Sequence, residues 1–123
     1  MGDVSVILEG VGGADSAVAL QSTVHGAGRV MSRTAAAGKK RWDKQSRQFV
    51  RKSDGAVSRS MMMEWVRRAG VELRGAGTDE SPHCYKRLPE VLAAHDPTVR
   101  IVHTLTPMGV AMAGEDEFDP YKD

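Results

Sequence analysis

The chain has a single cysteine and few aromatic residues. Cys84 is the one thiol among 123 residues, and only 5% of the residues are Phe, Trp or Tyr. A small secreted scaffold held by disulfides is therefore excluded, and a lone thiol is typical of a reducing compartment. The 41% hydrophobic residues suffice for one core, in which we expect Cys84 to be a small buried apolar residue.

Long apolar runs are also absent. No stretch approaches the ~20 residues that a helix needs to cross a bilayer, and the N-terminus lacks the basic and apolar regions of a secretory signal. The sequence thus predicts a soluble, cytoplasmic protein without a membrane partner.

The chain lacks a strong net charge, but its charges are unevenly placed. The whole chain has a net charge of +1. The segment from Arg29 to Arg59 holds ten Lys and Arg residues against two Asp residues, which gives it a local net charge of +8. Such a segment binds nucleic acid by neutralising phosphates, or it is a solvated, self-repelling loop, and both interpretations stay open. Residues 115–123 contain five acids and one lysine, which predicts an acidic tail.

Hydrophobic patterning predicts strands and helices without regular alternation, which indicates an α+β fold. Residues 41–57 have no apolar period and are expected to form an exposed or partly ordered connection. The predicted strands are residues 4–9, 18–24, 71–73 and 99–105, and the predicted helices are residues 28–40, 61–69 (after a cap at Ser58 or Ser60) and 89–95.

The segment that begins at His25 reads HGAGRVMSR and is the most informative one. Gly26 and Gly28 let the backbone approach phosphate oxygens without a Cβ in the way. The N-terminus of the helix predicted to follow favours an anion, and the Arg29 guanidinium can hold two oxygens. Since histidine is a covalent nucleophile in enzymes, His25 is a candidate for attack on phosphorus. On the residues alone, ordinary helix-entry chemistry stays an alternative.

Four segments, in the same order along the chain, resemble the RtcB family of RNA ligases. HGAGRVMSR is similar to that family's guanylylation motif, and Asp79–Lys86 is similar to its acidic-Pro-Tyr-Lys segment. Thr106–Val110 resembles its closing turn, and Met1-Gly2 with Ser5 resembles its guanine-pocket loop. The resemblance covers residues 1–114 and implies the C-terminal portion of the RtcB-like fold, with mixed and antiparallel strands and packed helices.

The resemblance implies a GTP-dependent ligase that joins RNA 3′-phosphate or 2′,3′-cyclic phosphate ends to 5′-hydroxyl ends, such as tRNA halves or broken RNA. GTP and Mn²⁺ are the implied cofactors. His25 matches the histidine that becomes guanylylated, and Ser5 and Tyr85 match residues of the guanine nucleotide pocket. Gly26, Ala27 and Gly28 match the loop that holds the GMP phosphate, and contacts with phosphate or RNA are predicted for Arg29, Lys39, Lys40 and Arg41.

Two departures from the family pattern affect the expected activity. Family members are several times longer, and their manganese ligands lie upstream of the Met-Gly loop. The resemblance thus implies that residues 1–114 are the GMP-binding part of a ligase whose N-terminal part is missing, without metal ligands and inactive alone. In addition, Met112 stands where the family usually has a lysine that contacts the guanine nucleotide. Either Lys122 serves instead or guanine recognition has diverged, and we favour divergence.

Two further interpretations remain. In the first, the chain is a non-catalytic RNA-binding or interaction module that uses residues 29–59. In the second, it is a remnant that folds poorly because strands 4–9 and 99–105 lack sheet partners. RNA binding that survives the loss of His25 would indicate the module, and concentration-dependent aggregation would indicate the remnant.

Overall fold

The computed structural model describes residues 1–114, and the predicted acidic tail lies outside them. Short helices and strands follow one another irregularly, so the predicted α+β class is confirmed. The strands are Ser5–Gly10 (β1), Gly38–Asp43 (β2), Gln48–Asp54 (β3), Glu72–Arg74 (β4), Val99–Leu105 (β5) and Gly109–Ala111 (β6). The helices are Ala14–Val18 (α1), Arg33–Ala37 (α2), Arg59–Arg68 (α3) and Leu88–Ala94 (α4), with short 3₁₀ turns at Thr78–Glu80 and Pro82–Cys84.

Within residues 1–114 the strands form three two-stranded sheets. β1 pairs antiparallel with β5, β2 pairs antiparallel with β3, and β4 pairs parallel with β6. The strands predicted at residues 4–9 and 99–105 are therefore each other's partners. This pairing removes the reason for expecting a poorly folded remnant.

Two elements predicted near the His25 motif are wrong. The strand predicted for residues 18–24 is instead the end of α1 and a turn, in which Leu20 and Gln21 have positive φ values of 54° and 53°. The helix predicted for residues 28–40 is only the five-residue α2, because the Ser32 side chain caps its start and Gly38, with φ 85°, ends it.

The connection predicted for residues 41–57 is instead an ordered hairpin. We call residues 38–54, which comprise β2, β3 and the turn between them, the basic ribbon. All residues of β3 are exposed, as predicted for this segment. The segment is nevertheless ordered, which the sequence did not predict. The Asp43 carboxylate holds the turn by accepting hydrogen bonds from the Ser46 backbone N–H (3.0 Å) and hydroxyl (2.6 Å). These bonds lower the pKa of Asp43.

Helix α3 contributes two buried residues to the core and agrees with the prediction. Its N-cap, Ser58, accepts a hydrogen bond from the Met61 N–H (3.2 Å), and Met62 and Val66 are buried. The buried residues Ala36, Val57 and Cys84 form a hydrophobic cluster. Cys84 is buried as expected, and burial raises the pKa of its thiol, which disfavours the reactive thiolate. Of the helices described in residues 1–114, none has the length and apolar character for a membrane crossing.

Gly75 directly follows β4 and lies against the segment that follows β6. It has a φ of 77°, and a Cβ at this position would overlap the carbonyl oxygen of Met112. The overlap falls where the Met112 N–H donates to the Arg74 carbonyl (2.9 Å). We expect Gly75→Ala to lower the free energy of unfolding by about 2–4 kcal/mol, measured by urea denaturation.

A matched control for this substitution is Gly70→Ala. Gly70 also has a positive φ, of 68°, but apart from its own atoms and its chain neighbours nothing described in residues 1–114 lies within 4 Å of the position of its missing Cβ. Gly70→Ala should therefore lower the free energy of unfolding only by the strain of a left-handed backbone at alanine, about 1–2 kcal/mol. Equal losses in the two variants would contradict the overlap at Met112.

Candidate functional site

A cleft of about 680 Å³ gathers four segments that are distant in the sequence. Its walls come from the N-terminal loop with β1, the loop that contains His25, the segment around Tyr85, and the segment from Pro107 to Met112. This volume is in the range of small-molecule sites. The predicted site residues that line it are Ser5, His25, Gly26, Ala27 and Tyr85.

The N-terminal loop is fixed against an aromatic side chain of α3. Gly2 has a φ of 74°, and a Cβ there would lie 3.1 Å from Nε1 of Trp65. The Arg87 guanidinium lies 4.4 Å from the centre of the Trp65 ring and donates to the Asp3 carboxylate (3.3 Å). This layered contact sets the start of β1, so that Ser5 is exposed at the cleft.

The loop of the HGAGR motif presents an exposed imidazole to the cleft. His25 is exposed, and apart from the adjoining residues of the chain no described atom lies within 4 Å of the missing Cβ positions of Gly26 and Gly28. The Lys86 N–H donates to the Gly28 carbonyl (3.0 Å) and anchors the end of the loop. However, α2 begins only at Arg33, so the expectation that a helix N-terminus at Gly28 faces the phosphate is wrong.

Arg29 is directed towards protein partners. Its Nε donates to the Met31 carbonyl (3.1 Å), Nη2 donates to the Asp79 carbonyl (2.7 Å) and Nη1 donates to the Tyr85 hydroxyl (2.9 Å). The guanidinium carbon also lies 4.8 Å from the centre of the Tyr85 ring. This geometry holds the Tyr85 segment against the His25 loop, and it does not favour the predicted contact of Arg29 with phosphate or RNA.

The acidic pair before Tyr85 belongs to the same network. Asp79 is buried, with 4% of its surface exposed, and accepts from Nη1 of Arg33 (3.1 Å). Glu80 also pairs with Arg33 and accepts a hydrogen bond from the Tyr85 hydroxyl. The hydroxyl of Tyr85 therefore bonds both Glu80 and Arg29, which fixes the ring at the cleft wall.

Two residues that line the cleft were not predicted as site residues. From the sequence, Lys86 had no assigned role and Met112 was only a departure from the family pattern. Lys86 lines the cleft together with His25 and brings an exposed amino group. Its position directly after Tyr85 in the motif was the available signal. Met112 also lines the cleft, so the position at which the sequence departs from the pattern of the resembled family lies at the candidate site.

The remaining predicted residues lie elsewhere. Lys39, Lys40 and Arg41 are on β2 of the basic ribbon and are exposed. The predicted site residues in residues 1–114 that do not line the cleft are Gly28, Arg29, Lys39, Lys40 and Arg41.

The described residues do not fit a manganese site. In residues 1–114 no three or more His, Cys, Asp or Glu side chains are grouped as a metal ion would require.

The family model of tRNA-splicing ligase RtcB matches residues 1–113 of the chain. This range includes every residue that lines the cleft. No match is found among curated proteins or solved structures.

Proposed function

Because the chain belongs to the tRNA-splicing ligase RtcB family, we propose that it forms the GMP-binding part of a GTP-dependent RNA ligase. The observation that carries this proposal is the single cleft that joins Ser5, His25 and Tyr85. These residues come from three separate segments, and a resemblance in sequence alone does not require that they meet. The domain that performs this role is residues 1–114.

In the proposed reaction, His25 is the nucleophile. A nitrogen of its imidazole, carrying a lone pair, attacks the α-phosphorus of GTP, an N–P bond forms, and the bond to the leaving pyrophosphate breaks. An oxygen of an RNA 3′-phosphate then attacks the same phosphorus and releases the histidine. Finally a 5′-hydroxyl attacks the activated 3′-phosphorus and loses its proton to solvent, the phosphodiester forms and GMP leaves. The exposed position of His25 at the cleft supports this role.

Residues around His25 are proposed to hold the nucleotide. The backbone N–H groups of Gly26 and Ala27 offer donors for charge that develops on the phosphate, and the Lys86 ammonium adds a positive charge in the same cleft. Because the Tyr85 hydroxyl is engaged with Glu80 and Arg29 and the Arg29 guanidinium lies over one face of the ring, we assign the opposite ring face of Tyr85 to packing on the nucleotide. Ser5 is proposed to hydrogen-bond the guanine.

The proposal also includes a metal cofactor, Mn²⁺, an RNA substrate and a cytoplasmic location. A divalent metal would neutralise charge on the phosphates when bound, and the family resemblance implies that its ligands lie upstream of the Met-Gly loop. The proposed substrates are RNA ends such as tRNA halves. A buried lone thiol is consistent with a cytoplasmic location.

The test of this function is covalent labelling by GTP that depends on His25.

A second candidate function is a non-catalytic RNA-binding module. The basic ribbon favours it, because such a module would use the ribbon equally well. RNA binding by a protein that forms no GMP adduct in any form would favour the module.

Substitution of Met112 tests guanine recognition at the cleft. Met112 is 38% exposed on the cleft wall, and its thioether cannot donate a hydrogen bond. We expect Met112→Lys to tighten GMP binding by about tenfold or more, because a hydrogen bond from a charged donor contributes about 1.5–3 kcal/mol. Titration calorimetry with GMP and AMP measures the gain and its preference for guanine.

Met112→Leu is the control, because it keeps the size and apolar character of the side chain. Its affinity for GMP should equal that of the unsubstituted chain. A Met112→Lys variant that gains equally for AMP and GMP would indicate a phosphate contact and would contradict a role in guanine recognition.

A further inference from the structure

We propose that the basic ribbon binds single-stranded RNA, with Trp42 and Phe49 stacking on bases and neighbouring cations holding phosphates. This inference rests on the proposed function only in that RNA is taken to be the substrate. The ribbon does not line the cleft, so the proposal assigns it a separate role, the capture of an RNA strand.

The aromatic pair is exposed on an ordered hairpin. Trp42 lies opposite Phe49 across the two strands, with ring centroids 5.0 Å apart and planes at 69°. The exposed fractions of the two residues are 48% and 66%. Large aromatic side chains that remain this exposed on a paired strand offer faces on which unpaired bases can stack.

Cations flank this pair on the same face of the ribbon. Lys40 lies opposite Arg51, and each is two residues along its strand from one of the aromatic residues. Side chains at this spacing point to the same face and are about 7 Å apart. Arg51 also contacts Asp54 (3.2 Å), but this pair is highly exposed and therefore weak. Each aromatic ring thus has a neighbouring positive charge.

The charge of the ribbon suits a polyanion. Residues 38–54 contain seven Lys and Arg residues and two Asp residues, a net +5 in a chain whose total is +1. One of the acids, Asp43, is engaged by the turn. An RNA duplex buries the faces of its bases in its own stack, whereas a single strand can offer bases to aromatic side chains. The combination therefore favours a single strand.

The competing account is that the aromatic pair only stabilises the hairpin. Cross-strand aromatic pairs do so in many sheets, and an isolated two-stranded hairpin is only marginally stable. The decisive substitutions must therefore keep the hairpin while removing the aromatic faces. Valine meets this requirement because it is β-branched and favours strands.

The experiment measures binding of the full chain to a fluorescent oligouridylate by anisotropy, with an RNA duplex of equal length in parallel. We expect Trp42→Val combined with Phe49→Val to weaken single-strand binding by about five- to a hundredfold. Trp42→Tyr combined with Phe49→Tyr should retain most of the affinity. Circular dichroism and urea denaturation of each variant check that the fold is kept.

A charge-matched pair of variants tests the cations. Lys40→Gln with Arg51→Gln should lower the slope of log affinity against log salt by about 1.4, since each phosphate contact to a single strand contributes about 0.7. Arg67→Gln with Arg68→Gln removes the same charge from α3, which is not part of the ribbon, and should leave the slope unchanged. Equal slopes in the two variants would overturn the assignment of the phosphate contacts to the ribbon.

Two other outcomes would overturn the proposal. One is unchanged binding by the folded valine variant, and the other is duplex binding as tight as single-strand binding and equally sensitive to the substitutions. Failure of the ligase function is distinguishable, because it would remove the GMP adduct and leave the RNA affinities of the ribbon variants as described.

Discussion

Replacing His25 with alanine is expected to abolish covalent labelling by radiolabelled GTP. The experiment requires Mn²⁺ and a longer form of the protein that adds the upstream metal ligands implied by the family resemblance. Loss of the nucleophile removes the only group proposed to bond phosphorus, so labelling should fall by at least ~10⁴-fold. The adduct should be acid-labile, as expected for a phosphorus–nitrogen bond, and is measured after denaturing electrophoresis.

His103→Ala is the matched control for this loss. His103 is also exposed, but it lies on β5 opposite Ile7 and does not line the cleft. Its labelling should equal that of the unsubstituted protein. The 123-residue chain alone should not be labelled, and an adduct on it that depends on His25 would prove this expectation wrong. No adduct on the longer form would count against the ligase function itself.

Replacing Arg29 with alanine is expected to lower the free energy of unfolding by about 2–4 kcal/mol. The variant loses three hydrogen bonds at once, to Met31, Asp79 and Tyr85. A typical bond contributes about 1 kcal/mol, and partners left unsatisfied in partly buried positions add to the loss. Urea denaturation measures the change, and GMP titration should show weaker binding because Tyr85 is no longer held at the cleft.

Arg29→Lys separates the shape of this side chain from its charge. Lysine keeps the positive charge but lacks the planar fork that reaches several acceptors and lies against the Tyr85 ring. It should therefore restore less than half of the lost stability. Arg67→Ala, at an exposed position in α3, should change stability by less than about 0.5 kcal/mol. Full recovery of stability and GMP affinity in Arg29→Lys would instead favour the phosphate contact predicted from the sequence.

Local patterns predicted the elements whose order depends on near neighbours in the chain. Helix α3 agrees with its apolar spacing and its cap at Ser58, and β1 and β5 agree with their β-branched runs. The basic ribbon was missed because its order depends on pairing across the turn. Trp42 and Phe49 have partners only once the two strands meet, and many charged residues mask any alternation of apolar residues.

The candidate site divides in the same way. The sequence by itself determined the family resemblance, the identity of the motif residues and the replacement of the usual lysine by Met112, because each can be read along one short segment. The tertiary structure alone decided which of these residues share the cleft. Arg29 turns to partners at Tyr85 and Asp79, which are 56 and 50 positions away in the chain. Contacts at such separations arise from packing, so the arginine that the motif offered to phosphate has its three hydrogen bonds to protein instead.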